Sequence, residues 1–211
     1  MTFSIVARSD DGNLLGVAVA SKFLAAGAVT PAAKGGVGAL SSQALPNLNY
    51  REQGLTFMRH GYNPVDAIAG MTAADSGSDQ RQLGMVDAKG ASAAFTGTGT
   101  TYWAGHRTGD GFAIQGNILA GPEVVDEMVA AWKSSHDMRF AERLVAVLAA
   151  GDAAGGDSRG RQCASILVVG ENANFLGLDD VAMDLRVDDH VEPIPELARL
   201  VQLHRETFPD E

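Results

Sequence analysis

A hydroxyl residue, Thr2, stands at the start of the chain and leads directly into the alternating run TFSIVAR. Chain ends are ordinarily loose. A threonine carried straight into a strand is therefore either a β-branched residue opening an early strand or a hydroxyl that has to be held still. Ser21 and Lys22 close the next apolar run, LLGVAVASK, and Lys34 immediately precedes GGVGALSSQ. Ser41, Ser42, Gln43 and Asn47 gather where that run ends. Trp103, His106, Gln115 and Asn117 fall within WAGHRTGDGFAIQGN, and Asp157, Arg159 and Arg161 within GGDSRGRQ. Hydroxyls of this kind attack carbonyls only when a base takes their proton, and an arginine fork binds a substrate carboxylate in bidentate fashion. The same residues serve structure equally well, as a polar loop after a strand, a hairpin stiffened by hydrogen bonds, or a turn closed by an Arg–Asp pair. Cys163, heading an apolar run, reads as core packing.

Composition narrows the classes. The 211-residue chain is 45% hydrophobic and 20% charged, which supports a substantial core and reads as one domain over residues 1–211. Its net charge of −10 argues against nucleic acid and against anionic membranes as partners. One cysteine excludes an internal disulfide, and no Cys/His cluster has zinc spacing, so no metal site is expected. The absence of a long apolar run or a basic-then-apolar start predicts neither a transmembrane helix nor a signal peptide, and a cytoplasmic location. The 25 glycines have no period and point to tight turns and close backbone approach.

The elements that must position these residues follow from periodicity. Thr2–Arg8 alternates, with Phe3, Ile5 and Ala7 on one face and Thr2, Ser4 and Val6 on the other. Asp10-Asp11-Gly12-Asn13 is turn chemistry, and Leu14–Ser21 returns as a strand apolar on both faces. Phe23–Pro31 reads as a loop and Gly35–Gln43 as a third strand. Tyr50–His60 is a predicted helix, and Asn63-Pro64 starts another with Val65, Ile68 and Met71 as its buried face. Arg81–Gly97 and the segment from Tyr102 to Leu119 read as hairpins, turning at 87–90 and 108–111. Two helical stripes follow, Val124, Val125, Met128, Val129 and Trp132, then Phe140, Leu144, Val147 and Leu148. Cys163–Val169 reads as a buried strand, Val181–Val187 as a one-sided strand, and Ile194, Leu197, Leu200 and Val201 as the face of a last helix. Antiparallel hairpins with helices inserted in groups predict an α+β fold, a four-layer αββα sandwich of two mostly antiparallel sheets.

The stretches TFSIVAR, LGVAVASK, GVGALSSQA, VDAKG, WAGHRTGDGFAIQGNILAG and GGDSRGRQ resemble the DUF1028 family, from Thr2 to about Gly177. That family is placed in the N-terminal nucleophile (Ntn) hydrolase superfamily. The resemblance implies the αββα fold and hydrolysis of an amide-type C–N bond in a small molecule. It implies no cofactor, since water is the only co-reactant. Some longer members add a peptidoglycan-binding-like segment, which is not expected here.

In that superfamily the first residue after processing attacks a carbonyl and its own α-amine accepts the proton. An α-amine titrates at about 7.7–8.0, near the pH where a base works best. Carried over, Thr2 is the nucleophile once Met1 is removed. The resemblance makes Lys34, 32 residues after Thr2, the cation that lowers the nucleophile's pKa, with Lys22 as the rival. Proteasome-like members place an aspartate near the end of the second strand, where this chain has Ser21, a weaker partner than a carboxylate. The end of strand three, with Ser42, Gln43 and Asn47, corresponds to where related folds supply oxyanion donors. Asp157 matches an aspartate that steadies the nucleophile. His106, Asn117 and Arg161 complete the substrate-binding candidates. A homodimer is expected from related αββα proteins. Two other readings stand beside the hydrolase: a metabolite-binding module on this fold, and an enzyme using internal residues such as Asp157, Arg161 and His106.

Overall fold

The turn after the first strand does what its residue types require. Gly12 takes the left-handed conformation, φ 80°, and Asp11 Oδ1 accepts hydrogen bonds from Ser9 Oγ at 2.6 Å and Asn13 N at 3.0 Å. The flanking strands β1 (Thr2–Arg8) and β2 (Leu15–Ser21) pair antiparallel from Thr2↔Ser21 to Arg8↔Leu15. The register of this hairpin therefore sets Thr2 beside Ser21. The computed structural model describes residues 2–100 and 102–208.

Two antiparallel sheets are built around this hairpin. The second contains β3 (Pro31–Lys34), β4 (Gly38–Ala44), β5 (Arg81–Asp87) and β6 (Ser92–Thr96), paired in that order. The first is completed by β7 (Trp103–Gly109), β8 (Phe112–Leu119), β9 (Cys163–Val169) and β10 (Val181–Val187). Its order is β10-β9-β2-β1-β8-β7, so β1 lies in the middle with β2 and β8 on either side.

Each sheet carries helices on its outer face. α1 (Asn49–Arg59) and α2 (Pro64–Ala73) cover the four-stranded sheet, where Tyr50, Met58, Ile68 and Met71 pack on Leu40, Leu83 and Met85. α3 (Glu123–Ser134), α4 (Phe140–Ala153) and α5 (Pro193–Thr207) cover the six-stranded sheet, where Met128, Trp132, Leu144, Leu148 and Leu197 pack on Phe3, Ile5 and Ile114. Full burial of such a side chain contributes about 1.5–3 kcal/mol. Among the described residues no helix is long and apolar enough to cross a membrane.

The space between the sheets is split along the strands. Val6, Val17, Ala39, Val86, Ala113 and Val169 fill one end. At the other end the same faces carry Ser4, Ser41, Gln43, Gln82, Gln115 and Asn117, all at most 1% exposed.

Three details depart from the sequence reading. The strand expected at 35–43 is a hairpin, because Pro31 opens an edge strand, where its missing N–H costs nothing, and Gly36 turns the chain with φ 67°. Lys34 thus ends one strand instead of preceding another. Val65 is 62% exposed; Pro64, Ala67, Ile68 and Met71 form the buried stripe at helical spacing, and Val65 lies one position off it. Of the single face expected on β10, Met183, Leu185 and Val187 lie against the core, while Val181, beyond the register shift between Val181 and Met183, is 37% exposed.

Gly84 lies where the sheets meet, and a Cβ added there would sit 1.9 Å from Gln115 Oε1. That amide is buried and its nitrogen is bound, so it has nowhere to retreat. Gly84→Ala is expected to destabilise the fold by about 1–3 kcal/mol, read as a lower urea midpoint at unchanged m-value.

Candidate functional site

Alternation along β1 sends Thr2 and Ser4 into the polar end of the sheet interface. Thr2 is 7% exposed, and its hydroxyl oxygen lies 3.1 Å from Ser21 Oγ. Its carbonyl oxygen accepts from Gln43 Nε2 at 3.2 Å and from Asn117 Nδ2 at 3.3 Å. The same two nitrogens donate to Gln82 Oε1, at 2.8 and 3.0 Å. The result is a closed ring in which two amide nitrogens bridge two oxygens.

Backbone carbonyls fix the direction of this ring. Gln82 Nε2 faces Gly116 O at 2.8 Å and Gly105 O at 3.2 Å. A carbonyl only accepts, so that end of Gln82 must be its NH2 and the other end its oxygen. Thr2 O fixes Gln43 and Asn117 in the same way. Gln43 Oε1 then accepts from Ser4 Oγ at 2.7 Å, with Ser41 Oγ at 3.1 Å, and Ser4 Oγ accepts from Gln115 Nε2 at 2.6 Å. The oxygens Asn117 Oδ1 and Gln115 Oε1 are buried without a hydrogen-bond partner, a costly state in a protein interior.

Strain sits beside the ring. Ala44, directly after Gln43, and Ile118, directly after Asn117, both have positive φ, 71° and 53°. For a β-branched residue such as Ile118 this is a genuine outlier. β7 and β8 shift register here, from Gly105↔Gly116 to Trp103↔Leu119, so Ile118 belongs to a bulge. The bulge changes parity. Ala113, Gln115 and Asn117 face the other sheet, while Leu119 turns into the helix-side core. Strained backbone of this kind concentrates at functional sites.

Other candidates cluster behind Thr2. Asp157, buried, accepts from Lys22 N at 2.8 Å through Oδ2 and from Arg159 N at 2.9 Å through Oδ1, with Arg159 Nη2 at 3.4 Å. It pins the end of β2 immediately after Ser21. Lys22 Nζ turns outward to Arg161 O at 3.1 Å. Cys163, opposite Ser21 on β9, is a buried free thiol, and burial pushes its pKa up.

The structure sends the remaining candidates elsewhere. Lys34 pairs with Asp180 and with strand position Gly38, roughly 17 Å along β4 from Gln43 at about 3.4 Å per residue. The 32-residue spacing was met in sequence, but the chain between β2 and β4 runs away from Thr2. Arg161 is held at the helix side by Asp152 and Glu192, which occupy its guanidinium fork. Ser42 shares the α1 side of its sheet with Leu40, and its hydroxyl donates to Asn47 O at 3.3 Å. Asn47 belongs to a separate knot around Asp75, which accepts from Arg81 Nε at 3.0 Å, Tyr50 Oη at 2.9 Å and Asn47 Nδ2 at 3.1 Å. His106 is half-buried, 2.9 Å from Thr96 Oγ1 through Nδ1. Burial, with Arg107 adding to it, pushes its pKa down.

Sequence reading missed Ser4, Gln82 and Thr96 as members of the site. Their signal was a polar residue at an inward position of an otherwise apolar strand. Removal of Met1 concerns a residue outside those described. Among the described residues no group of three or more His, Cys, Asp or Glu side chains could hold a metal ion.

The chain belongs to DUF1028, a family of unknown function, whose model matches residues 2–197. It is similar to protein SPO2555 from Silicibacter pomeroyi, assigned to the same family, whose crystal structure superposes with a TM-score of 0.88 at 32% identity. The match covers 97% of this chain and 86% of that one. No curated protein matches the chain.

The Asp75 knot carries a pH signature. Arg81, then Asn47 and the Gly77 N–H, hold the Asp75 carboxyl well below the usual carboxylate range. Its stabilising contribution is complete above the unfolded-state value of about 3.9 and is lost as pH falls through the lower folded-state value. Asp75→Asn is expected to lower the melting temperature at neutral pH. The gap to wild type should close as the pH drops below about 3.9, followed by circular dichroism.

Proposed function

We propose that this DUF1028 protein is an Ntn-type hydrolase that cleaves an amide-type C–N bond of a small molecule, with Thr2 as nucleophile after loss of Met1. The observation that carries this reading is the clamp on Thr2, a hydroxyl 3.1 Å from Ser21 Oγ on a residue whose carbonyl is held by two side-chain amides. A purely structural strand start needs no such clamp. The layered arrangement of two sheets with outer helices resembles the frame of the Ntn superfamily and supports the same reading.

The chemistry balances with water alone. Thr2 Oγ1 attacks the substrate carbonyl carbon, and its proton passes to the Thr2 α-amine. The C–N bond then breaks, and the leaving nitrogen takes that proton. Water attacks the resulting ester, the α-amine takes a proton from it, and Thr2 recovers its hydroxyl as the acid departs. Nucleophile and base sit on one residue, so fixing Thr2 aligns both. Ser21 Oγ orients the hydroxyl, and Asp157 holds the strand end behind it through Lys22 N. Lys34 has no part in this scheme, and the Lys22 ammonium is turned away. The site thus relies on hydrogen bonds in place of a lysine relay, and the α-amine accepts the proton in its neutral form. Asn117 Oδ1, an acceptor lacking a donor, suits a substrate N–H or the liberated α-amine.

The test compares protein with Met1 removed and retained, distinguished by intact mass, on small amides, ureido acids and N-acyl amino acids. Thr2→Ala and retention of Met1 should each lower kcat by about 10⁴-fold or more, without adding, because they disable one unit. Thr2→Ser should keep partial activity. Equal turnover with Met1 intact would refute the α-amine as base. Turnover that survives Thr2→Ala would move the chemistry to internal residues.

A further inference from the structure

The hydrogen bonds of the amide ring do not stop at Gln82. Gln82 Nε2 also lies 2.9 Å from Thr96 Oγ1, its two hydrogens shared among Thr96 and the two carbonyls, and Thr96 Oγ1 lies 2.9 Å from His106 Nδ1. The nitrogen end of Gln82 is fixed by Gly105 O and Gly116 O. Thr96 therefore accepts from Gln82 and has its own hydrogen free to donate. Donated to His106 Nδ1, that hydrogen defines a neutral ring protonated at Nε2, the tautomer in which every link of the chain runs in one direction. Backbone oxygens thereby assign the amide donors from Thr2 O to Gln82, and the last link, from Thr96 to His106, follows from the tautomer.

We infer that His106 is a positioning residue for Thr2, acting through Thr96, Gln82 and the amides of Gln43 and Asn117. His106 lies on β7, beyond β8 from Thr2, and lines a surface groove of about 520 Å³ with Trp103 and Arg107. A protonated His106 donates from Nδ1. Thr96 Oγ1 then receives two donors, its own hydrogen loses its acceptor, and the pull on Gln82 weakens. The elements packed on β7 are β6, β8 and α3. β6 and β8 contain no ionisable side chain, and the acid α3 sends to this strand, Asp126, pairs with Arg107 at 2.9 Å. Arg107 and burial both favour the neutral ring, the state the chain of donors requires.

The inference rests on Thr2 being the nucleophile for its kinetic arm only, and a spectroscopic arm stands without turnover. In ¹⁵N-labelled protein, His106 should show an unprotonated Nδ1 at neutral pH. The side-chain NH2 resonances of Gln82, Gln43 and Asn117 should shift together as His106 titrates, and His106→Asn, which keeps an acceptor near the Nδ1 position, should abolish that shift. On a substrate that Thr2 turns over, His106→Leu should lower kcat about tenfold, the effect of one net hydrogen bond lost, with KM little changed. His106→Asn should restore most of kcat. The acid limb of the wild-type kcat profile should steepen below the ordinary histidine value of about 6.5, and that of His106→Asn should not. A protonated Nδ1 at neutral pH, or amide resonances indifferent to the titration, overturns the relay whatever Thr2 does. Normal resonances with His106→Leu as active as wild type overturn the positioning role. Turnover that survives Thr2→Ala refutes the nucleophile reading and leaves the relay to the spectroscopic arm.

Discussion

Six polar side chains are buried almost completely where two sheets face one another, and they are tolerated there because backbone carbonyls tell them which way to point. Burying an amide without partners costs several kcal/mol, about 2–7 depending on the reference state. Gln82 avoids most of this by using both ends, its nitrogen toward Gly105 O, Gly116 O and Thr96, its oxygen toward Gln43 and Asn117. Gln43 and Asn117 in turn reach Thr2 O. A one-residue slip of any of these strands in its ladder would turn its amides away from the interface and toward the helices. The alignment of the two sheets and the position of Thr2 are consequently one constraint.

Charge has been kept away from this interior. Several ion pairs tie the outer elements together instead. Asp75–Arg81 ties the segment after α2 to the start of β5, Arg161 ties α4 to the residue before α5, and Arg143 ties the first hairpin to α3. Arg143, itself buried, stacks 3.4 Å from the Trp132 ring centre and donates to Asp10 and to Trp132 O. Isolated charges beside Thr2 would need desolvation that neutral amides escape. The acidic side chain closest in the chain of contacts, Asp157, acts on backbone N–H groups and holds the strand end instead of the hydroxyl.

Much of the scaffold was legible because periodicity reports burial directly. The alternation of TFSIVAR placed Thr2, Ser4 and Val6 on one face, and the structure puts that face toward the second sheet. The helical stripes from Val124 and Phe140 were legible for the same reason. Spacing along the chain was a poorer guide to the site. Lys34 has the right separation from Thr2, yet a short edge strand opened by Pro31 carries it to the opposite end. Ser42 and Gln43 are neighbours in sequence but face opposite sides of their sheet, a distinction that depends on knowing where β4 begins. Gln82 and Thr96 were invisible as site members because nothing local announces which inward polar residue will meet another across the interface. The bulge at Ile118, which lets Asn117 and Leu119 face opposite ways, puts its positive φ on an isoleucine, a residue type that does not announce it.

The contact between the sheets is half valine and alanine and half amide and hydroxyl, divided along the strands. These halves respond differently to temperature. Apolar association weakens as water is cooled, while hydrogen bonds between buried groups do not share that dependence. In the cold the sandwich is therefore gripped by its Thr2 end and loosened at the end where β1 turns into β2. Warming restores the apolar grip. The protein is asymmetric in this thermal sense, and the end that stays closed is the one holding Thr2.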